Sequence, residues 1–113
     1  MALSPPILPQ AVNGVITTAQ IEAAYGIFVL IPIDASFSVG DVISVRLNND
    51  MRQAVYLGGS EPILVTFDDP VYWIFDFYNQ SYYGQTNRYG DETFSPTVEF
   101  FLSSKTFFGI IAP

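Results

Sequence analysis

From Ile27 onward the chain is built of short runs in which apolar residues recur at every second position, punctuated by glycine, asparagine and aspartate. That period sends alternate side chains to opposite faces of a β-strand. Val42 to Leu47 is the cleanest case, with Ile43, Val45 and Leu47 on one parity and Val42, Ser44 and Arg46 on the other. It predicts a strand with one dry and one wet face. Val39-Gly40-Asp41 precedes it as a turn; Asn48-Asn49-Asp50, residues tolerant of left-handed backbone, lets Ala54 to Leu57 return antiparallel before Gly58-Gly59-Ser60 breaks the run. Pro62 to Phe67 and Val71 to Tyr78 are predicted as further strands on either side of Asp68-Asp69-Pro70, the second with Val71, Trp73, Phe75 and Phe77 as its core stripe. Thr97 to Leu102 resumes the alternation, Val98, Phe100 and Leu102 opposing Thr97, Glu99 and Phe101.

Other segments depart from the alternation. Ile27 to Ile33 is apolar on both parities, the pattern of a strand covered on both faces, with Pro32 limiting pairing near its end. Residues 1–12 carry Pro5, Pro6 and Pro9 and read as an extended lead-in, closed by a turn at Asn13-Gly14. Thr17 to Ala24 has the one helix-like composition, with Thr17 or Thr18 as N-cap and a stop at Gly26; it is one helical turn or an irregular loop. Asn79 to Phe94 is polar and turn-rich and reads as a long hairpin tip or loop. About seven short strands with frequent turns predict an all-β antiparallel sandwich with at most one short helical turn, in a single domain spanning 1–113. Its expected core is Phe28, Leu30, Ile43, Val45, Leu47, Leu64, Trp73, Phe75, Val98 and Phe100.

The order of these features resembles the Ig-like repeat domains of large bacterial surface adhesins. The matching residues are Pro9, Asn13-Gly14, Ile16 to Ile21, Val29 to Pro32, Gly40-Asp41, Pro62 to Phe67 and Ser95 to Leu102. Val71 to Tyr89 is more aromatic than such repeats, and the chain carries no tandem copy of itself. The resemblance implies an Ig-like sandwich, a role in adhesion or structure, and an extracellular or virion-surface setting of bacterial or phage origin. It implies no catalytic residues.

Composition narrows the chemistry. Of 113 residues none is His or Cys, and the four basic residues are Arg46, Arg52, Arg88 and Lys105. The common bases, nucleophiles and zinc ligands are therefore missing, and no disulfide can form. Half the residues are apolar and 13% are charged, which is enough for a core and unlike a disordered chain. The formal charge of −7 opposes phosphate backbones and anionic lipid, so no nucleic-acid partner is expected. Met1 to Gln10 has no basic residue and does not read as a signal peptide, leaving a chain expected to begin near Met1. No run reaches the ~20 apolar residues of a membrane span, so no membrane insertion is expected.

Eleven carboxylates remain. Asp68-Asp69 and Asp91-Glu92 are adjacent pairs, and adjacency does not hold two carboxyls the roughly 5 to 9.5 Å apart that glycoside hydrolysis needs. The chain is read as not an enzyme. Calcium is the other use for loop oxygens, from Asn48, Asn49, Asp50, Asp68, Asp69, Asp91 and Glu92, but no spaced loop motif is present and Asx residues are ordinary turn chemistry. No cofactor is expected. The stretch from 78 to 91 mixes rigid amphipathic rings with adaptable amides, as paratope loops do. Tyr78, Asn79, Gln80, Tyr82, Tyr83, Asn87, Arg88, Tyr89 and Asp91 are its candidate ligand contacts, for a glycan or a protein. Strand packing is the competing use of these tyrosines. Phe107, Phe108, Ile110 and Ile111 form an apolar tail expected to pair internally with weak self-association. The leading function is a non-catalytic binding or adhesion module; the alternative is a structural or assembly protein of a phage or cell-surface fibre that uses its apolar termini.

Overall fold

In the computed structural model residues 3–104 are described, and they form eight strands in two sheets, one α-helix and one 3-10 turn. The apolar tail from Phe107 to Ile111 lies outside the described residues. The strands are β1 (Val15–Thr17), β2 (Ile27–Ile31), β3 (Val42–Leu47), β4 (Asp50–Val55), β5 (Ile63–Phe67), β6 (Phe77–Thr86), β7 (Glu92–Phe94) and β8 (Val98–Ser103). The larger sheet runs β1-β8-β6-β3-β4, with β7 added beside β6, and the smaller pairs β2 with β5. Every pairing is antiparallel except β1 with β8. The proline-rich lead-in lies along the smaller sheet, where Ile7 and Leu30 exchange backbone hydrogen bonds of 2.9 and 2.8 Å.

The helix α1 (Thr18–Ala24) forms because its ends are provided for. Thr17 accepts from the Gln20 amide at 3.3 Å while the Gln20 side chain accepts from the Thr17 amide at 2.7 Å, a reciprocal cap. Tyr25 ends it in the left-handed region, and Gly26 follows where a Cβ would stand 2.6 Å from the Phe67 carbonyl.

Between the sheets lie Ile16, Ile21, Ile27, Val29, Ile31, Ile43, Val45, Leu47, Val65, Phe67, Tyr83, Phe100 and Leu102. Ile43, Val45, Leu47 and Phe100 match expectation. In β2 and β5 the other parity points inward: Phe28 and Leu30 are half-buried and Leu64 is 54% exposed. Both strands are apolar on both parities, so periodicity alone does not choose a face. The register chooses it, pairing Leu30 with Leu64 and Phe28 with Thr66 on the outer side.

The largest departure is between residues 71 and 94. Instead of a strand over Val71 to Tyr78, Asp69 caps a 3-10 turn at Pro70–Tyr72 and the chain stays irregular to Asp76, whose φ is 59°. Trp73 is partly buried against the core and Phe75 is 39% exposed. Of the stretch 79–94, expected as a hairpin tip or loop, residues up to Thr86 belong to β6, the central strand of the larger sheet, and only 87–91 form a hairpin tip, between β6 and β7. The inward face of β6 is Asn79, Ser81, Tyr83 and Gln85, all buried. Polar residues survive there because each is paired: the Ser81 hydroxyl donates to the Arg46 carbonyl at 2.7 Å, and the Tyr83 hydroxyl to the Ser4 carbonyl at 2.6 Å.

Candidate functional site

The last inward residue of β6, Gln85, sits at the end of the sandwich where the lead-in, the β2–β3 loop and the β6–β7 turn meet. Its amide donates to Asp41 Oδ2 at 2.8 Å and to the Ser36 carbonyl at 3.1 Å, and its Oε1 accepts from the Ser36 hydroxyl at 3.3 Å. Asp41 is buried, and the same carboxylate oxygen accepts from the Ser38 amide at 2.9 Å. These bonds tie the β2–β3 loop to the central strand and form the polar floor of a cleft of about 420 Å³. In the same loop hydrogen bonding from Ser36, whose amide donates to Asp34 Oδ2 at 2.9 Å, holds the Asp34 carboxyl below its ordinary range.

The rim comes from residues 87–91. Asn87 Oδ1 accepts from the Tyr89 amide at 2.9 Å and the Asp91 amide at 3.1 Å, and the Asn87 amide donates to the Asp91 carbonyl at 3.0 Å. Gly90, at φ 85°, supplies the left-handed step that closes the turn. The turn is thus self-supporting, and it leaves Tyr89 76% exposed with the Arg88 guanidinium 5.1 Å from its ring centre. Asn87, Arg88, Tyr89 and Asp91 line the cleft with Ser36, Ser38, Asp41 and Thr93.

The nine sequence candidates therefore separate into three places. Asn87, Arg88, Tyr89 and Asp91 come together at the cleft. Tyr78, Gln80 and Tyr82 lie on the outer face of β6, where Tyr78 meets Phe101 edge-on at 5.4 Å, Gln80 reaches Glu99 at 3.5 Å, and Tyr82 packs against Phe94 and under Arg46. Asn79 and Tyr83 point into the core. Burial, with the Asp34 charge adding to it, pushes the Tyr83 phenol up to about 12. Ser36, Ser38, Asp41, Gln85 and Thr93 were not singled out from the sequence; Asp41 reads there as a turn residue, and nothing local marks the others.

Of the two adjacent carboxylate pairs, Asp68-Asp69 has structural partners. Asp68 reaches Arg52 at 3.3 Å, and Asp69 accepts from the Val71 amide at 3.2 Å. Among the described residues no three carboxylates gather closely enough to hold a metal ion, and no helix is long and apolar enough to cross a membrane.

The topology and a solved structure agree. This is the fold of a bacterial Ig-like domain. The chain is similar to a bacterial immunoglobulin-like domain from the M. primoryensis ice-binding adhesin, with a TM-score of 0.50 and 15% identity over 91% of this chain and 98% of that one. No protein-family model matches the chain, and no curated protein matches it. In Ig-like terms the lead-in and β1 are one edge strand that changes sheets, first bridging β2 and then running parallel to β8. The cleft lies at the end where this strand begins, since Leu3 is among its lining residues.

Proposed function

We propose that this Ig-like chain is a non-catalytic binding module of the adhesion type, taking a hydroxyl-rich glycan in the cleft at the 87–91 end. The observation that carries the reading is the pairing of an exposed aromatic platform, Tyr89 with Arg88 beside it, with a fixed polar floor of Ser36, Asp41 and Gln85. A ring face stacks on the C–H face of a sugar while amides, carboxylates and a guanidinium meet its hydroxyls. Both halves are held before a ligand arrives, which limits the ordering cost of binding. The structural partners of the Asp68-Asp69 pair support a non-catalytic role. A glycan screen of the intact chain tests the proposal, followed by Tyr89→Ala and Arg88→Ala on any glycan retained. Each substitution is expected to weaken binding by about tenfold or more, the loss typical of aromatic and arginine anchors. Retention unchanged in both variants, or no glycan retained, defeats it.

One observation favours the alternative, a spacer in a surface or phage fibre. Leu3 lies at the cleft end and Ser104 beside the first residues of β6, so the described chain enters one end of the sandwich and leaves at the other. That is the geometry a head-to-tail array needs. The spacer reading predicts background retention for the intact chain and for both variants alike.

A further inference from the structure

The side chains on the floor of the cleft have spent their donors. Both protons of the Gln85 amide are used, one on Asp41 Oδ2 and one on the Ser36 carbonyl, and the Ser36 hydroxyl gives its proton to Gln85 Oε1. The backbone amides of the same loop are taken too, Ser38 by Asp41 Oδ2 and Ser36 by Asp34. What stays open is acceptor capacity: the second lone pair of Gln85 Oε1, the lone pairs of Ser36 Oγ, and Asp41 Oδ1. Asp41 is 3% exposed yet lines the cleft, its two hydrogen bonds both fall on Oδ2, and among the described residues no basic side chain pairs with it. A carboxylate taken that far out of water without a counter-charge favours a cation. Arg88, the one basic residue of the lining, lies against the Tyr89 ring instead, and Asp91 adds a second carboxylate to the lining.

We propose that the cleft selects glycans that carry a free amino group, with the ammonium seated on Asp41 and Gln85 and a sugar ring against Tyr89. The inference rests on the glycan reading of this cleft and adds the chemical class of the sugar. An ammonium brings three donors and a positive charge, which suits a floor of open acceptors with two carboxylates in the lining. A sugar hydroxyl brings one donor and no charge, and an N-acetylated amine brings one donor on a bulkier neutral group. An acidic sugar brings a carboxylate to floor side chains with no donor left, on a chain of net charge −7. A metal ion fits less well, since among the described residues no three carboxylates gather to ligate it.

Calorimetric titration of the intact chain tests this with a glucosamine oligomer, the same oligomer fully N-acetylated, and an oligouronate. The amine form is expected to bind about tenfold or more tighter than the acetylated form, the difference a charged hydrogen bond supplies, and the oligouronate not at all. Asp41→Asn keeps an acceptor for the Ser38 and Gln85 amides and puts a donor where Oδ1 stood, so it is expected to abolish the preference for the amine. Glu22→Gln, exposed on α1 and outside the cleft, removes the same charge and is expected to leave the preference intact. The melting temperature of each variant is read alongside, and the comparison of oligomers on the parent chain depends on no variant folding. Equal or tighter binding of the acetylated form that Tyr89→Ala still weakens overturns this inference and leaves the cleft reading standing. A glucosamine oligomer that does not bind overturns the inference alone, whereas a screen that retains no glycan removes the reading beneath it as well. An equal loss in Asp41→Asn and Glu22→Gln shows general attraction of a polycation to an acidic protein and overturns it. So does binding of oligolysine in place of the amino glycan, which makes a protein amine the ligand.

Discussion

Asn79 shows how one side chain can replace a strand partner. Its Oδ1 accepts from the Ile74 amide at 2.9 Å and from Asn48 Nδ2 at 2.7 Å, and its Nδ2 donates to the Ile74 and Phe77 carbonyls at 2.8 and 3.2 Å. The irregular stretch before β6 is thereby satisfied without a ladder. Asn79→Ala strands several of these groups in a buried setting and is expected to cost about 2 to 3 kcal/mol, read from the urea midpoint at constant slope. An Asn79→Ala protein as stable as the parent would remove this account of the loop. Tyr83 gives a prediction in pH. Its phenol holds its proton to about 12 in the fold against about 10 in an unfolded chain, so its contribution is fully present below pH 10 and is lost as pH rises from 10 to 12. Tyr83→Phe is expected to be less stable at neutral pH, having lost the 2.6 Å bond to Ser4, and to show a shallower decline of melting temperature across that window. Equal slopes for the two proteins would contradict it. That Asn79 and Tyr83 face inward was not legible, because their residue types suit a solvated loop as well as a satisfied polar core.

Among the elements, α1 and its junction with β2 are the most sharply specified. Thr17→Ala removes the N-cap and is expected to cost about 1 kcal/mol, as such caps do. Gly26→Ala meets a harder obstacle, since its φ of 152° disfavours any side chain and the atom 2.6 Å from the new Cβ is a backbone carbonyl that cannot swing away. A loss on the order of 1 to 3 kcal/mol is expected, with β2 and β5 pushed apart at Ile27 and Phe67. Hydrogen exchange localised to that pair would register it; unchanged protection there would refute the contact. The strands β3 and β8 were readable because clean alternation is a local signal; cap chemistry marked a helix start at Thr17 or Thr18 but left a single turn and a loop both open, and the structure has a seven-residue helix. The strand β6 was not, because its inward face of Asn, Ser, Tyr and Gln inverts the apolar-inside rule, and only the hydrogen bonds from distant strands and the lead-in make that inversion affordable.

For the whole molecule the charge of −7 is a diffuse repulsion, the described ion pairs being those of Arg52 with Asp50 and Asp68. Adding monovalent salt from about 0.01 M to 0.15 M shortens the Debye length from about 30 to 8 Å and is expected to raise the melting temperature. A fall with salt would show that specific pairs outweigh the general repulsion. At this scale the division between sequence and structure is plain. Alternating runs, turn residues, and the lack of His and Cys determined an all-β sandwich and removed the commonest catalytic groups, because side-chain period and residue chemistry act locally. Which parity of β2 and β5 turns inward, that β6 is central, and that Asn87 to Asp91 meets Ser36, Asp41 and Gln85 in one cleft were decided by pairing between segments far apart in the sequence. Such pairings are set by register and by the joint satisfaction of buried polar groups, and no window of sequence contains both halves of either.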